Sequence, residues 1–182
     1  MFCPLSVDWG NVAQWVSGGC TFLAIVYALY RDNIQQRFQR PIFRFLDISK
    51  VNQNGVMYYR LIIKNDSRFV AKNVEFEVND VVDSGNPRDG FLPASHSWTH
   101  RDLVRDISPY QVAYLNLCSV DNAVPLTANL TAPHLETYVK DMALINSNTD
   151  AILLKFYTEN GYHGEVKIKV ECVENEVVLS LL

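Results

Sequence analysis

The pattern of hydrophobic positions divides the chain into two parts. From Trp9 to Tyr30 it runs for 22 residues without a charged side chain. A helix rises about 1.5 Å per residue, so this stretch is about 33 Å long and can cross the ~30 Å apolar core of a bilayer. Trp15 lies toward one end and Tyr27 toward the other, as aromatic side chains do at the two membrane interfaces. The pattern therefore predicts one transmembrane α-helix.

Two other interpretations of this stretch stay open. Asn11, Gln14, Ser17 and Thr21 weaken its hydrophobicity, so it could instead be a buried helix of a soluble domain. A cleaved signal peptide is less favoured, because such a peptide carries positive charge before its apolar run. The first eight residues hold no Lys or Arg, so we expect an uncleaved anchor.

The charges that flank the span predict its orientation. Asp8 is the only charged side chain before it. Four arginines follow it: Arg31, Arg37, Arg40 and Arg44. Because positive charge favours the cytoplasmic side, we expect a single-pass protein of the cell (inner) membrane, with its N-terminus outside and its body in the cytoplasm. The arginines could also contact anionic headgroups, although an ordinary basic flank explains them.

One stripe of the predicted helix carries small and weakly polar side chains. Its members recur at three- and four-residue steps. They are Gly10, Gln14, Ser17, Gly18, Thr21, Ala24 and Ala28. Such a stripe lets transmembrane helices approach closely and share hydrogen bonds. It predicts association with a second copy or with a partner helix, although small residues are also simply common in membrane helices.

After Pro41 the period of the pattern changes to two. Apolar and polar side chains alternate through Ala71–Val78 and Glu165–Cys172, as in half-buried strands. Five further segments have strand character: 42–51, 56–64, 110–118, 151–158 and 177–181. Seven strands with almost no amphipathic helix predict a mainly β fold, an immunoglobulin-like antiparallel β-sandwich, with a barrel as the alternative. Residues 134–145 fit either a short helix or a strand.

These features predict four regions. Pro41 ends the polar connector, because proline disfavours helix at the preceding residue and cannot continue the hydrogen-bond ladder. The regions are a short extracytoplasmic tail (1–8), the transmembrane helix (9–30), a basic juxtamembrane connector (31–40) and a cytosolic β-sandwich domain (41–182).

Composition changes this picture in one respect. The chain of 182 residues is 48% hydrophobic and 20% charged, and its mean hydropathy of −0.02 is typical of a soluble protein. That average combines an uncharged span with an acidic body, since residues 41–182 hold 13 Lys and Arg against 18 Asp and Glu, a net charge of −5. A pI near 5.5 argues against a nucleic-acid-binding protein, which is usually basic.

The residues that could carry chemistry form no recognised motif. The four cysteines, Cys3, Cys20, Cys118 and Cys172, include no CxxC pair, which argues against a zinc ribbon or a thioredoxin-like site. The sequence has no Walker loop, no GxGxxG and no GxSxG. We therefore expect no catalytic residues, no metal site and no cofactor, and we do not expect an enzyme.

The longest predicted connection, residues 80–108, is the candidate interaction loop. A connection of 29 residues is usually functional or contains an element of its own. An aromatic side chain beside arginines is typical of an interface hot spot. The candidate residues are His96, Trp98, His100, Arg101 and Arg105. The alternative is that Trp98 covers an edge of the sandwich and that Leu103 and Val104 belong to a further strand.

Two segments resemble known bacterial proteins. The opening Asp8-Trp-Gly-Asn-Val-Ala-Gln-Trp-Val-Ser-Gly18 is similar to the D-W-x-x-V-A-x-W-x-S-G start of small bacterial single-pass membrane-anchored proteins. The phrases Leu61-Ile-Ile-Lys-Asn-Asp-Ser67 and Ala71-Lys-Asn-Val-Glu-Phe-Glu-Val78 resemble bacterial immunoglobulin-like sandwich domains, in which one strand ends in a K-N-x-G/S turn and the next begins A-x-N-V. The resemblance implies a membrane-anchored sandwich and carries no catalytic residues.

We predict a binding protein. A cytosolic sandwich held at the inner leaflet would recruit a protein partner or self-associate through its helix, with the membrane as a further partner and no role for nucleic acid. The alternative is a membrane-acting effector or regulator, for example in anti-phage defence, whose helix oligomerises to perturb the membrane. Asn11 and Gln14 favour this alternative, because polar groups within a membrane span are often functional.

Overall fold

The computed structural model describes residues 9–38, 40–99, 102–121, 128–133, 140–159, 161, 163–173 and 176–182. The predicted tail, residues 1–8, lies outside them. The chain divides into two compact units, Met1–Gln39 and Arg40–Leu182. The described part of the first unit is one helix, and all the described strands lie in the second.

The helix of the first unit, α1, runs from Trp9 to Phe38. Within it, Val12–Arg31 is long and apolar enough to span a membrane, and none of that stretch is buried inside the protein. Trp15 and Leu29, for example, are 77% and 73% exposed. The large apolar side chains of the Val12–Arg31 stretch are therefore exposed, whereas the buried-helix interpretation requires them to be buried.

The second unit is built from strands that form two antiparallel sheets. In chain order they are β1 (Phe43–Gln53), β2 (Val56–Asn65), β3 (Ala71–Asp83), β4 (Asn86–Pro87), β5 (Ala94–Ser95), β6 (Val104–Ile107), β7 (Val112–Asp121), β8 (Ala128–Leu130), β9 (Leu144–Ile145), β10 (Thr149–Tyr157), β11 (His163–Val173) and β12 (Glu176–Leu181). One sheet has the order β1-β2-β7-β8-β9. The other has the order β12-β11-β10-β3-β4, and β5 and β6 also pair with β3.

The predicted fold class is confirmed. The chain is mainly β, with two antiparallel sheets in a sandwich-like arrangement after one apolar helix, and in the described residues the sheets do not close into a barrel. Each of the seven predicted strand segments overlaps a strand, and the predicted segments 42–51, 110–118 and 151–158 extend one or two residues beyond it. Of residues 134–145, the first six lie outside the described residues. The rest form a 3-10 turn, Lys140–Ala143, followed by β9.

The core lies between the two sheets. The alternation through β3 places Val74, Phe76 and Val78 inward, and all three are fully buried. Burying one side chain of this kind contributes about 1.5–3 kcal/mol. Phe76 lies at the centre of an aromatic cluster, because its ring is edge-on to Trp98 at 5.5 Å and to Phe45 at 6.4 Å between centroids. The apolar positions of the period-two pattern in β3 are therefore the positions that are buried in the core.

The turn between β1 and β2 sets the register of these two long strands. Asn54 and Gly55 both have left-handed backbone, with φ of 54° and 84°, as a two-residue hairpin requires. The side chain of Asn52 accepts a hydrogen bond from the Gly55 amide at 3.2 Å. This turn aligns the outward side chains of β1 and β2, and β7 continues the same rows.

The predicted long loop, residues 80–108, contains the short strands β4, β5 and β6 and crosses one open side of the sandwich. We call the part after β3 the strap. β5 pairs with β3, Trp98 then forms a bridge with Leu115 of β7, and β6 returns to β3. The indole Nε1 of Trp98 donates to the carbonyl of Val74 at 3.2 Å. The strap therefore connects the two sheets, and Trp98 is fully buried. The alternative interpretation placed Trp98 on an edge of the sandwich and expected a strand at Leu103 and Val104, and β6 begins at Val104.

Arg88 joins the start of the strap to the core side of β10. Its guanidinium donates to both carboxylate oxygens of Asp83, at 2.6 and 3.0 Å, to the hydroxyl of Thr149 at 3.1 Å and to the carbonyl of Met142 at 2.8 Å. The Arg88 hydrogen bonds hold the pKa of Asp83 below its usual value. The network joins the β3–β4 segment to residues 142–149, which lie more than 50 positions away in the sequence.

Candidate interaction surfaces

The residues of the predicted interaction loop fall into three groups. His96 and Trp98 are fully buried, so neither side chain is available to a partner in this conformation. Arg105 is half-buried, and its guanidinium lies 6.0 Å from the centre of the Trp98 ring. His100 and Arg101 lie outside the described residues. The expected pairing of Trp98 with an arginine is present, but at the edge of the core.

His96 is a buried imidazole with one free nitrogen. Its Nδ1 lies 3.0 Å from the carbonyl of Thr131. Since a carbonyl only accepts, we assign the proton to Nδ1, which leaves Nε2 as a bare acceptor. Among the described residues Nε2 has no hydrogen-bond partner. Burial lowers the pKa of His96 from 6.5 to about 4, so the ring is neutral at ordinary pH.

The outer side of the five-stranded sheet carries a mixed aromatic and cationic surface. We call it the Arg60 face, and its members are Tyr58, Arg60, Ile62 and Tyr114, which lie beside the buried Asn116. The strand register places Ile62 beside Tyr114, and Arg60 beside Asn116. Tyr114 is 44% exposed.

Arg60 is held in place on this face by its neighbours. Its Nε donates to the Asn116 side-chain oxygen at 3.1 Å, and its guanidinium lies 5.8 Å from the centre of the Tyr58 ring. The backbone of Asn116 is in turn bound to the strap, since its backbone N–H donates to the carbonyl of Ser97 at 3.3 Å. Within the described part of the chain Arg60 has no ion-pair partner.

The outer side of the other sheet has a different chemistry. There Lys155 lies 3.5 Å from Glu165, and Lys169 lies 2.5 Å from Glu171. Desolvation and the neighbouring Glu77 carboxylate raise the pKa of Tyr157, which is exposed on this side. The first pair joins β10 to β11 and the second lies within β11, and exposed charge pairs are typical of a solvated sheet face. The two outer sides of the sandwich are therefore not equivalent.

A second surface lies at the end where the chain enters the β-rich unit. We call it the entry surface, formed by residues 40–44, 64, 66–70 and 108–112. The buried side chain of Asn65 joins its loops: Nδ2 donates to the carbonyls of Phe69, Ile107 and Ser108 at 2.7, 3.0 and 3.3 Å. Its Oδ1 accepts from the hydroxyl of Ser67 at 2.7 Å.

Backbone hydrogen bonds complete the entry surface. The backbone N–H of Asp66 donates to the carbonyl of Ile42 at 2.7 Å, and the backbone N–H of Asn65 donates to the carbonyl of Gln111 at 3.0 Å. The sequence marked Asn65–Ser67 as a turn, but it did not indicate which other segments the turn would join. Arg40 and Arg44 of the predicted basic set lie here, and Arg44 is 3.8 Å from Asp66.

The remaining predicted residues lie on α1. The stripe from Gly10 to Ala28 is within the helix, and Arg31 is exposed near its C-terminal part, while the side chain of Arg37 lies outside the described residues. A shallow groove is lined by Gln14, Trp15, Gly18, Gly19 and Phe22. A Cβ atom added at Gly18 would meet nothing within 4 Å.

Titratable side chains outside these surfaces are dispersed. In the described part of the chain, no group of three or more His, Cys, Asp or Glu side chains is placed to hold a metal ion. Cys20, Cys118 and Cys172 are free thiols, whereas Cys3 lies outside the described residues. Burial raises the pKa of Cys118 to about 12, so this thiol stays protonated.

Comparison of the chain with protein-family models, with curated proteins and with solved structures gives no match. Function is therefore inferred from the residues of the chain itself.

Proposed function

We propose that this protein is a membrane-anchored binding module. In this proposal α1 holds the sandwich at the cytoplasmic side of the inner membrane, and the Arg60 face binds an acidic segment of a protein partner. The length and apolar character of Val12–Arg31 support the anchor, and the arginines after the span support the orientation. A reporter fused after Leu182 should be active only in the cytoplasm, and activity confined to the outside would contradict the orientation.

The binding proposal depends on one observation, namely that Arg60 is held in position without an ion-pair partner among the described residues. Its guanidinium is positioned by Asn116 and Tyr58 and has no carboxylate partner among the described residues. An arginine that is already ordered loses less conformational entropy when it binds a carboxylate. Tyrosine and arginine side chains also dominate the binding energy of most protein interfaces.

Site-specific photocrosslinking in cells tests this proposal on the full chain. A photoreactive residue in place of Tyr114 should form a discrete adduct with a partner. The same residue in place of Tyr157, which is 41% exposed on the outer side of the other sheet, is the matched control and should not. Arg60→Gln should lower the Tyr114 adduct by about tenfold or more, as loss of a hot-spot arginine does.

A second charge change separates the role of Arg60 from a general effect of charge. Lys167→Gln removes one positive charge from the other sheet, where Lys167 is exposed, and should leave the Tyr114 adduct unchanged. Equal adducts at positions 114 and 157, or a Tyr114 adduct that Arg60→Gln does not lower, would refute the proposal.

A membrane-acting effector is the second candidate function. The groove at Gln14, Gly18 and Phe22 is open on an otherwise apolar helix, and α1 could pack against copies of itself there. The hydroxyl of Thr21 donates to the carbonyl of Ser17 at 2.9 Å, so the polarity of the stripe is satisfied in part within the helix. Dye uptake after induced expression tests this function, and intact membranes under every inducing condition would exclude it.

A further inference from the structure

We propose that the entry surface docks on anionic lipid headgroups and so orients the sandwich at the membrane. The proposal rests on the membrane anchorage described above, but not on the partner of the Arg60 face. Three features carry it: exposed apolar side chains on adjoining segments, a strained tyrosine held outward, and an excess of positive charge on an otherwise acidic domain.

The apolar feature consists of large side chains left in solvent. Five of them lie on the segments that Asn65 joins. They are Ile42, Phe69, Val70, Tyr110 and Val112, each between 36% and 60% exposed. Single exposed apolar residues are normal, but a group on adjoining loops marks a contact surface.

Tyr110 is held outward at a conformational cost. Its φ of 60° lies in the left-handed region, which is unfavourable for a bulky side chain. The turn is closed by the Gln111 amide, which donates to the Ser108 carbonyl at 3.1 Å, and by the Gln111 side chain, which accepts from the Ser108 amide at 2.9 Å. Tyr110 is nevertheless 57% exposed, so the strained residue is directed largely into solvent.

The charge of this surface is opposite to that of the domain. Its four cations are Arg40, Arg44, Lys64 and Arg68. Its one carboxylate, Asp66, lies 2.6 Å from Lys64, and these ionic contacts lower the pKa of Asp66. On the neighbouring β3 side, the carboxylates of Asp106 and Glu159 accept hydrogen bonds from Asn73. The cations therefore outnumber the carboxylate here, whereas residues 41–182 together carry a net charge of −5.

An anionic bilayer is the occupant that fits these features together. Aromatic and aliphatic side chains beside Lys and Arg are the composition of surfaces that lie in the headgroup region. Each basic residue near an anionic leaflet favours binding by a modest and roughly additive amount. Residues 40–44 also follow shortly after α1 in the chain, so this segment of the domain is the one tethered next to the membrane anchor.

Hydrogen exchange on the full chain in lipid nanodiscs, one copy per disc, tests the proposal. Discs of phosphatidylcholine alone are compared with discs that contain one third phosphatidylglycerol. Exchange of residues 66–70 and 108–112 should slow by about fivefold or more in the anionic discs. It should recover at high salt, since screening weakens surface electrostatics. The Ser84–Gly85 turn of the β3–β4 hairpin is the internal control and should exchange equally in both.

Two variants separate docking from folding. Arg44→Gln combined with Arg68→Gln should abolish the difference between the two discs, and the matched pair Lys167→Gln with Lys169→Gln should preserve it. Tyr110→Asn should reduce the difference without destabilising the domain, because asparagine adopts left-handed backbone more readily than tyrosine.

Three outcomes would overturn the proposal. They are equal exchange in the two discs, protection that the arginine pair does not affect, and protection found only when a disc holds two copies. The last would assign the entry surface to a second copy. None of these outcomes alters the crosslinking expected at Tyr114, so this inference and the proposed partner site fail separately.

Discussion

The neutral, buried ring of His96 should make the domain lose stability in mild acid. In the folded chain the pKa of His96 is about 4, because burial disfavours the charged form, whereas in the unfolded chain it is about 6.5. As the pH falls below 6.5, the unfolded state takes up a proton that the folded state does not, so stability falls. The loss is complete near pH 4, where the folded ring also protonates.

The size of the effect follows from the two pKa values. One pKa unit corresponds to about 1.4 kcal/mol, so the full loss between pH 6.5 and pH 4 is about 3 kcal/mol. At pH 5 about 2 kcal/mol of it has already appeared. Domains of this size are stable by only about 5–15 kcal/mol, so the change is large enough to measure by urea unfolding.

The assay compares pH profiles between variants. The full chain in a neutral detergent is unfolded by urea from pH 4.5 to pH 7.5, with circular dichroism as the readout of the β-rich unit. His96→Gln removes the titrating group but keeps a donor for Thr131, and its stability should depend less on pH by about 2 kcal/mol at pH 5. His163→Gln, at an exposed position, is the matched control and should follow the wild-type profile.

The difference between variants is the measured quantity, because it cancels the titration of every other group, including Asp83, whose loss of stability falls below the pH range of the assay. Asp83 has a lowered pKa, so it contributes stability that is present above its unfolded pKa and lost as the pH falls through its folded pKa. That loss is common to all three proteins. Parallel profiles for the wild type and His96→Gln would refute the reasoning.

Three further predictions concern other contacts. Arg88→Met should lower the free energy of unfolding, measured in urea, by about 1–3 kcal/mol, because the partly exposed Asp83 carboxylate loses its bidentate partner and keeps only the Thr149 hydroxyl among the described residues. Gly164→Ala should lower the free energy of unfolding by about 1–3 kcal/mol, since a Cβ there would lie 2.5 Å from the Phe156 ring. The double variant with Phe156→Leu should lose less stability than the sum of the two single variants. Strictly additive losses would exclude the clash. Gly18→Ile should reduce crosslinked oligomer in membranes by closing the groove on α1, and unchanged crosslinking would remove the stripe as an association surface.

Much of the fold could be predicted because its signals are local. An uncharged run of the length of a bilayer indicates a helix on its own, and α1 includes all of it. The alternation through Glu165–Cys172 is the direct trace of a strand with one buried face, and Val166, Ile168 and Val170 are indeed buried. The hairpin at Asn54–Gly55 has a local cause as well, because left-handed backbone favours Asn and Gly.

The short strands and the strap could not be predicted in the same way. β5 and β6 are each four residues or fewer, too short to show a period. Trp98 next to basic residues has the composition of an interface, and its sequence alone cannot distinguish that from a core aromatic at an edge. Burial of Trp98 is decided by contacts with β3 and β7, which are distant in the chain.

The sequence by itself determined the helix, the alternating strands, the tight turns and the acidic balance of the body, because each depends on residues that are neighbours along the chain. Only the tertiary structure decided which polar residues act together. Asn65 joins loops more than 40 positions apart, and Arg60 is positioned by Asn116, 56 residues away. Those contacts arise when strand pairing brings distant segments into register, and no local pattern encodes which side chains will then meet.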